Sequence, residues 1–183
     1  MLLEVVLHLG TLFAIVVYYL NDIILFMKNI IKKEEVEKHY LLCIIVGILP
    51  AALTGFIFSD KIEILFNINF VLLMLIISGA FIFKTKDLIP KNDISLKIAF
   101  IIGLFQIFAL LPGISRSGIT ISVALLIGLK RKDAAKFSFY MAIPLLIGAM
   151  ILQLPELFTI NIHMMYNLLL GFIASFFVGY MII

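Results

Sequence analysis

A short polar stretch between two apolar runs carries the residue types best suited to bind an anion. Residues 111–120 read Leu-Pro-Gly-Ile-Ser-Arg-Ser-Gly-Ile-Thr. Arg116 offers a planar, permanently charged fork of N–H donors that matches phosphate oxygens. Ser115 and Ser117 are good N-caps for a helix that starts here, and a helix N-terminus presents free N–H groups to an anion. The stretch therefore predicts a phosphate or carboxylate site, with Thr120 as a further hydroxyl donor.

The other residues of this stretch shape the predicted site. Pro112 should end the incoming helix, because it lacks an N–H and clashes with the preceding turn. Gly113 and Gly118 allow unusual backbone dihedrals and let a ligand approach the backbone closely. Gln106 lies near the end of the preceding apolar segment and is expected to line the same cavity. The predicted binding residues are thus Gly113, Ser117, Gly118 and Gln106.

Each of these residues also has a plainer interpretation. Arg116 could be an anchor whose long side chain reaches the membrane interface. Ser115 and Ser117 could do no more than cap a helix, and the hydroxyl of Thr120 could bond back to its own helix. Both interpretations stay open at the level of sequence.

A second pair of ionisable residues lies near the chain start. Glu4 and His8 are four residues apart in an apolar stretch, so they share a helix face. Ionisable groups at membrane depth suggest function, but Glu4 could equally lie in the outer interface. Cys43 is alone in an apolar run, so the sequence predicts no disulfide and no cysteine metal site.

Composition indicates that lipid surrounds these elements. The chain has 183 residues, of which 64% are hydrophobic and 14% charged, whereas soluble domains are about half apolar and about a quarter charged. We predict an all-α polytopic membrane protein, a helical bundle forming one domain over residues 1–183. A net charge of +3 in short clusters does not suggest nucleic acid. The predicted spans are Leu2–Leu20, Tyr40–Phe58, Ile68–Phe83, Ile98–Leu111, Ile114–Leu129, Phe137–Leu154 and Tyr166–Ile183.

The positive charges suggest how these spans are threaded. Twelve of the 14 Lys and Arg residues fall in the connectors Asn21–His39, Lys84–Lys97 and Lys130–Lys136, which we place on the cytoplasmic side. The connectors Ser59–Asn67 and Pro155–Met165 would then face outward, together with Arg116. The two segments that flank Arg116 span only about 21 Å and about 24 Å as helices, less than the roughly 30 Å of hydrocarbon. They predict a re-entrant, broken-helix hairpin whose tip lines a cavity.

The stretch from Phe105 to Thr120 resembles the second signature of the undecaprenyl-diphosphatase family of the bacitracin-resistance type. Similar flanks are Glu4–Gly10, Gly47–Ala51, Lys136–Phe139 and Ala142–Pro144. The resemblance implies removal of the terminal phosphate of undecaprenyl diphosphate at the outer face of the bacterial cytoplasmic membrane, which recycles the carrier for peptidoglycan synthesis and confers bacitracin resistance. It also implies catalytic roles for Arg116, Ser115 and Thr120, a polyprenyl diphosphate lipid as partner, and a homo-oligomer as one possible state.

Part of the family pattern is absent from this sequence. The glutamate-rich signature E-G-x-T-E-F-L-P-x-S-S-T-G-H and a last Pro-containing segment do not occur, so the chain resembles a family member shortened at both ends. The resemblance implies a divalent cation, Mg²⁺ or Ca²⁺, but the carboxylates that would hold it are not in this chain, and we predict no metal ligands. The expected consequence is impaired hydrolysis by the chain alone. An anionic-lipid transporter or flippase that uses the same broken-helix site is the alternative.

Overall fold

The chain folds into helices wherever its structure is described. The computed structural model describes residues 2–85, 92–157 and 162–183, and these ranges contain no strand. A 3₁₀ turn at Ile107–Leu110 directly follows α5. The helices are α1 Leu2–Tyr18, α2 Leu20–Ile31, α3 Glu35–Glu63, α4 Ile68–Phe83, α5 Leu96–Gln106, α6 Arg116–Ile127, α7 Arg131–Leu157 and α8 Ile162–Ile182.

The helices confirm the predicted all-α membrane fold. Within the described residues, the stretches Glu35–Phe58, Arg131–Ile151 and Met165–Ile182 are long and apolar enough to cross a membrane. The pair α1 and α2 forms a fourth candidate, broken by a bend of 71°. The helices α4, α5 and α6 are apolar but shorter. Two of these, α5 and α6, follow one another in the chain and pack together, and their re-entrant position in a membrane stays a prediction.

Several predicted connectors are wrong because helices extend into them. Most of Asn21–His39 is α2, whose apolar residues recur at helical spacing among Asn and Lys. Ser59–Asn67 is partly helical because α3 continues to Glu63 past a kink at Phe58, where φ is −114° and ψ is 15°. Lys130–Lys136 is helical from Arg131 onward, since charged residues are accommodated in an exposed first turn. Parts of the connectors Lys84–Lys97 and Pro155–Met165 lie outside the described residues.

The chain divides into two compact units, and one of them contains the whole predicted site. This site unit covers Glu35–Met141. Its helices α3 and α5 approach closely at Gly47 and Gly103, where a side chain on Gly103 would collide with the backbone of Gly47. Small residues allow such close approach of membrane helices. The buried core of the site unit includes Cys43, Ala99, Ile102, Val123, Phe137 and Met141.

The other unit combines Met1–Glu34 with Ala142–Ile183. Here α1 packs along α8 through small residues: a Cβ on Gly179 would lie 3.3 Å from the Cβ of Ala14, and one on Gly10 would collide with Ser175. Within this unit Phe13 and Phe172 meet edge to face, with ring centroids 5.5 Å apart. The prediction of a single domain stays a prediction.

Candidate anion-binding site

A tight turn joins the 3₁₀ turn to α6. The N–H of Ile114 donates to the carbonyl of Leu111 at 3.2 Å, Leu111 is extended, and Gly113 has φ of +97°. Proline at the second position and glycine with positive φ at the third are the residues of a type II turn. The predicted break at Pro112–Gly113 is confirmed. The geometry of the turn depends on Gly113, because residues with an L side chain rarely adopt a φ near +97°.

The turn rests directly on α4. A Cβ on Gly113 would collide with the backbone carbonyl of Val71 and would lie 3.0 Å from the Cβ of Met74. The absence of a side chain at position 113 is therefore required twice, once by the dihedral and once by the contact with α4. This contact fixes the point at which α6 begins.

Ser115 caps α6, as the sequence predicts. Its Oγ accepts a hydrogen bond from the N–H of Gly118 at 3.1 Å. The first helical backbone bond runs from the N–H of Ile119 to the carbonyl of Ser115 at 2.9 Å. The N–H groups of Arg116 and Ser117 therefore have no acceptor within the helix and remain available to an anion.

Gly118 has a different role from the predicted one. It lies inside α6 with ordinary helical dihedrals, so the expectation of an unusual backbone conformation is wrong here. What it provides is space, because a Cβ at this position would lie 2.6 Å from Cδ1 of Ile82 and 2.9 Å from Oγ of Ser115. A side chain on Gly118 would thus press against the cap itself.

Two nitrogen donors of the site unit are buried without a hydrogen-bond acceptor among the described residues. One is Nη1 of Arg116 and the other is Nε2 of Gln106, a side chain that is only 2% exposed. Unsatisfied buried donors are costly and rare in folded proteins. The amide of Gln106 donates only through Nε2, whereas the guanidinium of Arg116 carries N–H donors on all three of its nitrogens, so an acceptor-rich ligand such as a phosphate would suit either group.

Thr120 is buried between helices rather than presented at the surface. Its Oγ1 lies 2.9 Å from the carbonyl of Arg116 and 2.6 Å from Oγ of Ser138 on α7. A hydroxyl has one proton, so when Thr120 donates to this carbonyl, Ser138 must donate to Thr120. This is the back-bonded arrangement that the sequence left open, and it connects Thr120 to Arg116 through the backbone.

Sequence reasoning missed two serines of the site. Besides Ser138, Ser78 on α4 accepts a hydrogen bond from the N–H of Ser115 at 3.2 Å. Both serines are buried, at 7% exposure for Ser78 and 4% for Ser138. A lone serine in an apolar helix gives no local signal of its partner, because that partner is distant in sequence.

An apolar pocket of about 100 Å³ lies beside the first turn of α6. It is formed by side chains of α4, α6, the 3₁₀ turn and the connecting turn. Its lining residues are Ile77, Ser78, Phe81, Phe108, Ile114 and Ile119. Ile114 immediately precedes the cap Ser115, so apolar surface and anion-binding donors occur side by side.

The donor set of this site does not suit a hard metal cation. Mg²⁺ and Ca²⁺ prefer several carboxylate or carbonyl oxygens, whereas the side chains identified here are hydroxyls, an amide and a guanidinium. Among the described residues, no three His, Cys, Asp or Glu side chains come together to hold a metal ion. Of the other ionisable pair, His8 is exposed and belongs to the other compact unit, and the side chain of Glu4 lies outside the described residues.

Comparison with known proteins decides the family. The family described as "Bacitracin resistance protein BacA" matches residues 1–183. This chain belongs to that family. Three relatives named undecaprenyl-diphosphatase are similar to this chain over nearly its whole length. The Caldicellulosiruptor bescii protein is 40% identical over 98% of this chain and 71% of its own length. The Fusobacterium nucleatum protein is 41% identical over 98% and 72%, and the Methanococcus vannielii protein is 38% identical over 94% and 70%.

Proposed function

We propose that this protein binds the diphosphate head group of undecaprenyl diphosphate and acts in its hydrolysis to undecaprenyl phosphate and inorganic phosphate. The observation that supports this most directly is the buried Nη1 of Arg116, which has no acceptor in the described structure and belongs to the first residue of α6. A permanent positive charge, two free backbone N–H groups and the dipole of α6 all favour an anion at the same place.

The lipid part of the proposed substrate has separate support. The relatives are named undecaprenyl-diphosphatase, and the apolar pocket borders the cap of α6. A free phosphate has no apolar part that could fill such a pocket, whereas a lipid phosphate carries hydrocarbon next to its head group. The combination favours an amphiphilic anion.

In this proposal the residues of the site hold the diphosphate and neutralise its charge. Breaking the P–O–P bond leaves negative charge on both products, and preorganised donors stabilise that charge in the transition state. In this role Arg116 and the N–H groups of Arg116 and Ser117 would stabilise the charge, and Gln106 would supply an amide donor. The described side chains do not form a site for a divalent cation, and no step of this proposal depends on one.

We extend the proposal to location. The lysine-rich connectors would face the cytoplasm and the tip of the hairpin the outer side of the bacterial cytoplasmic membrane. Hydrolysis there would return the lipid carrier to peptidoglycan synthesis and would reduce the diphosphate available to bacitracin.

The proposal is tested with the purified chain in detergent micelles. Binding of radiolabelled pyrophosphate and release of phosphate from undecaprenyl diphosphate are measured for the wild type, for Arg116→Ala and for Arg131→Ala. Arg131 is the other arginine of the chain and is exposed at the start of α7. We expect Arg116→Ala to lose at least about tenfold in pyrophosphate affinity, because hydrogen bonds to charged groups contribute about 1.5–3 kcal/mol each, while Arg131→Ala binds like the wild type.

Equal losses in both variants, or none in either, would overturn the anion site. Phosphate release in detergent, where no membrane separates two compartments, supports hydrolysis over lipid transport. Movement of the lipid between the two leaflets of a vesicle, with no phosphate release, favours the transporter or flippase.

A further inference from the structure

We propose that Ser78 is a positioning residue of the anion-binding site, which rests on the function proposed above. Ser78 lies on α4, and no residue of this helix is among those proposed to contact the anion. Its hydroxyl accepts the N–H of Ser115 at 3.2 Å. It would thereby hold the residue at which α6 begins, and with it the N–H groups directed at the diphosphate.

The burial pattern of α4 singles out this residue. All residues of α4 are described, and Ser78 is the only buried one. The rest of the helix is largely apolar and exposed, as expected of a surface in contact with lipid. A hydroxyl at its one buried position needs a hydrogen-bond partner. That partner is the backbone of the cap residue.

The hydrogen bond from Ser115 to Ser78 gives the N–H of Ser115 an acceptor that α6 itself does not provide. The N–H of Ser115 precedes the first helical turn, so it has no acceptor within α6. Its neighbour Ile114 already donates to Leu111. Without the hydroxyl of Ser78, the N–H of Ser115 would lose its acceptor, and this hydrogen bond would no longer hold the cap against α4.

Ser78 acts together with the contact at Gly113. The turn touches α4 at Val71 and Met74, and the cap touches α4 one to two helical turns later at Ser78. Two contacts on one helix fix both the position and the direction of the tip. The second contact is polar and directional, so it sets the orientation of the N–H groups that follow it.

A packing role for Ser78 makes a different prediction. Small residues allow helices to approach closely, and alanine would serve that purpose equally well. A positioning role through the hydroxyl requires an oxygen at this position, which alanine removes and threonine keeps. Ser78 borders the apolar pocket, which leaves room for the methyl group of threonine.

The test compares Ser78→Ala, Ser78→Thr and Gly79→Ala in the full chain in detergent. Gly79 is the next residue of α4 and has no atom within 4 Å of the Cβ it would gain, so Gly79→Ala is a matched control for a change on this helix. The dissociation constant for radiolabelled pyrophosphate and the midpoint of thermal unfolding are measured for each. For any variant that releases phosphate from undecaprenyl diphosphate, kcat and KM are separated.

We expect Ser78→Ala to weaken pyrophosphate binding by about tenfold, as for loss of one hydrogen bond to a buried group. Ser78→Thr should recover affinity to within about twofold, and Gly79→Ala should match the wild type. A wild-type dissociation constant for Ser78→Ala, or a Ser78→Thr variant as weak as Ser78→Ala, would overturn the positioning role. If Arg116→Ala binds pyrophosphate as well as the wild type does, the proposed function itself fails; a defect in Arg116→Ala with none in Ser78→Ala refutes only the role of Ser78.

Discussion

Replacing Arg116 with methionine should stabilise the unliganded protein while it abolishes anion binding. In the described structure Nη1 of Arg116 is buried and has no acceptor. An unsatisfied buried donor costs about 1–3 kcal/mol, and more when it is charged. Methionine keeps an unbranched apolar stem and removes the donors. We therefore expect the free energy of unfolding of Arg116→Met to exceed that of the unliganded wild type by about 1–3 kcal/mol, since replacing an unpaired buried charge with an apolar group relieves its desolvation.

Cys43 provides the assay for this prediction. It is the only cysteine of the sequence, it is fully buried, and it lies in the same compact unit as Arg116. A thiol-reactive fluorophore therefore reports the unfolding of that unit during heating in detergent. For a chain of this size, 1 kcal/mol corresponds to about 2–4 °C in the unfolding midpoint. Arg131→Met is the control, and a substitution of an exposed side chain should change stability by no more than about 0.5 kcal/mol.

Pyrophosphate should close most of this difference in stability or reverse it. At 100 times its dissociation constant a ligand stabilises the folded state by about 2.7 kcal/mol, so the midpoint of the wild type should rise by several degrees and that of Arg116→Met should not move. A lower midpoint for unliganded Arg116→Met would show that the guanidinium is already satisfied in the free protein. An equal pyrophosphate shift in both proteins would place the anion elsewhere. Either result refutes the reasoning.

Three further changes test other parts of the site. Gly113→Ala should lower the unfolding midpoint and weaken pyrophosphate binding, because a side chain is strained at φ of +97° and would collide with the carbonyl of Val71. Gly148→Ala is the control. It has open space around its new Cβ and should have neither effect. Ser138→Ala and Thr120→Val should each lower the free energy of unfolding by about 0.6–2 kcal/mol. Because both substitutions remove the same hydrogen bond, the double variant should lose clearly less than the sum of the two. Strict additivity would contradict this pairing. Phe81 lines the apolar pocket, so Phe81→Ala should weaken binding of farnesyl diphosphate by about fivefold through lost apolar burial and leave pyrophosphate binding unchanged. An equal effect on both ligands would argue against the pocket as the binding site of the hydrocarbon.

The sequence predicted the features whose causes are local. The bounds of α4, the break at Pro112–Gly113 and the cap at Ser115 follow from uninterrupted apolar residues, from the dihedrals of proline and glycine, and from the preference of serine for N-caps. These signals act within a few residues of the chain. They suffice to find the tip of the hairpin.

The features that the sequence did not reveal depend on distant partners or on mixed composition. Ser78 and Ser115 are 37 residues apart, and Thr120 and Ser138 are 18 apart, so neither pair can be recognised from local spacing. The sequence predicts a connector where α2 lies, because Asn, Asp and Lys interrupt the apolar residues of this helix. The roles of Arg116, Ser115 and Thr120 in binding or catalysis stay predictions, as does any use of Glu4.

The cap at Ser115 has a consequence for the chemistry open to this side chain. One lone pair of its Oγ already accepts the N–H of Gly118, so electron density that an attacking oxygen would need is drawn toward the backbone. Its own proton, by contrast, is free to point outward. A serine held in this way is suited to donate a hydrogen bond to a phosphoryl oxygen while it continues to cap the first turn of α6.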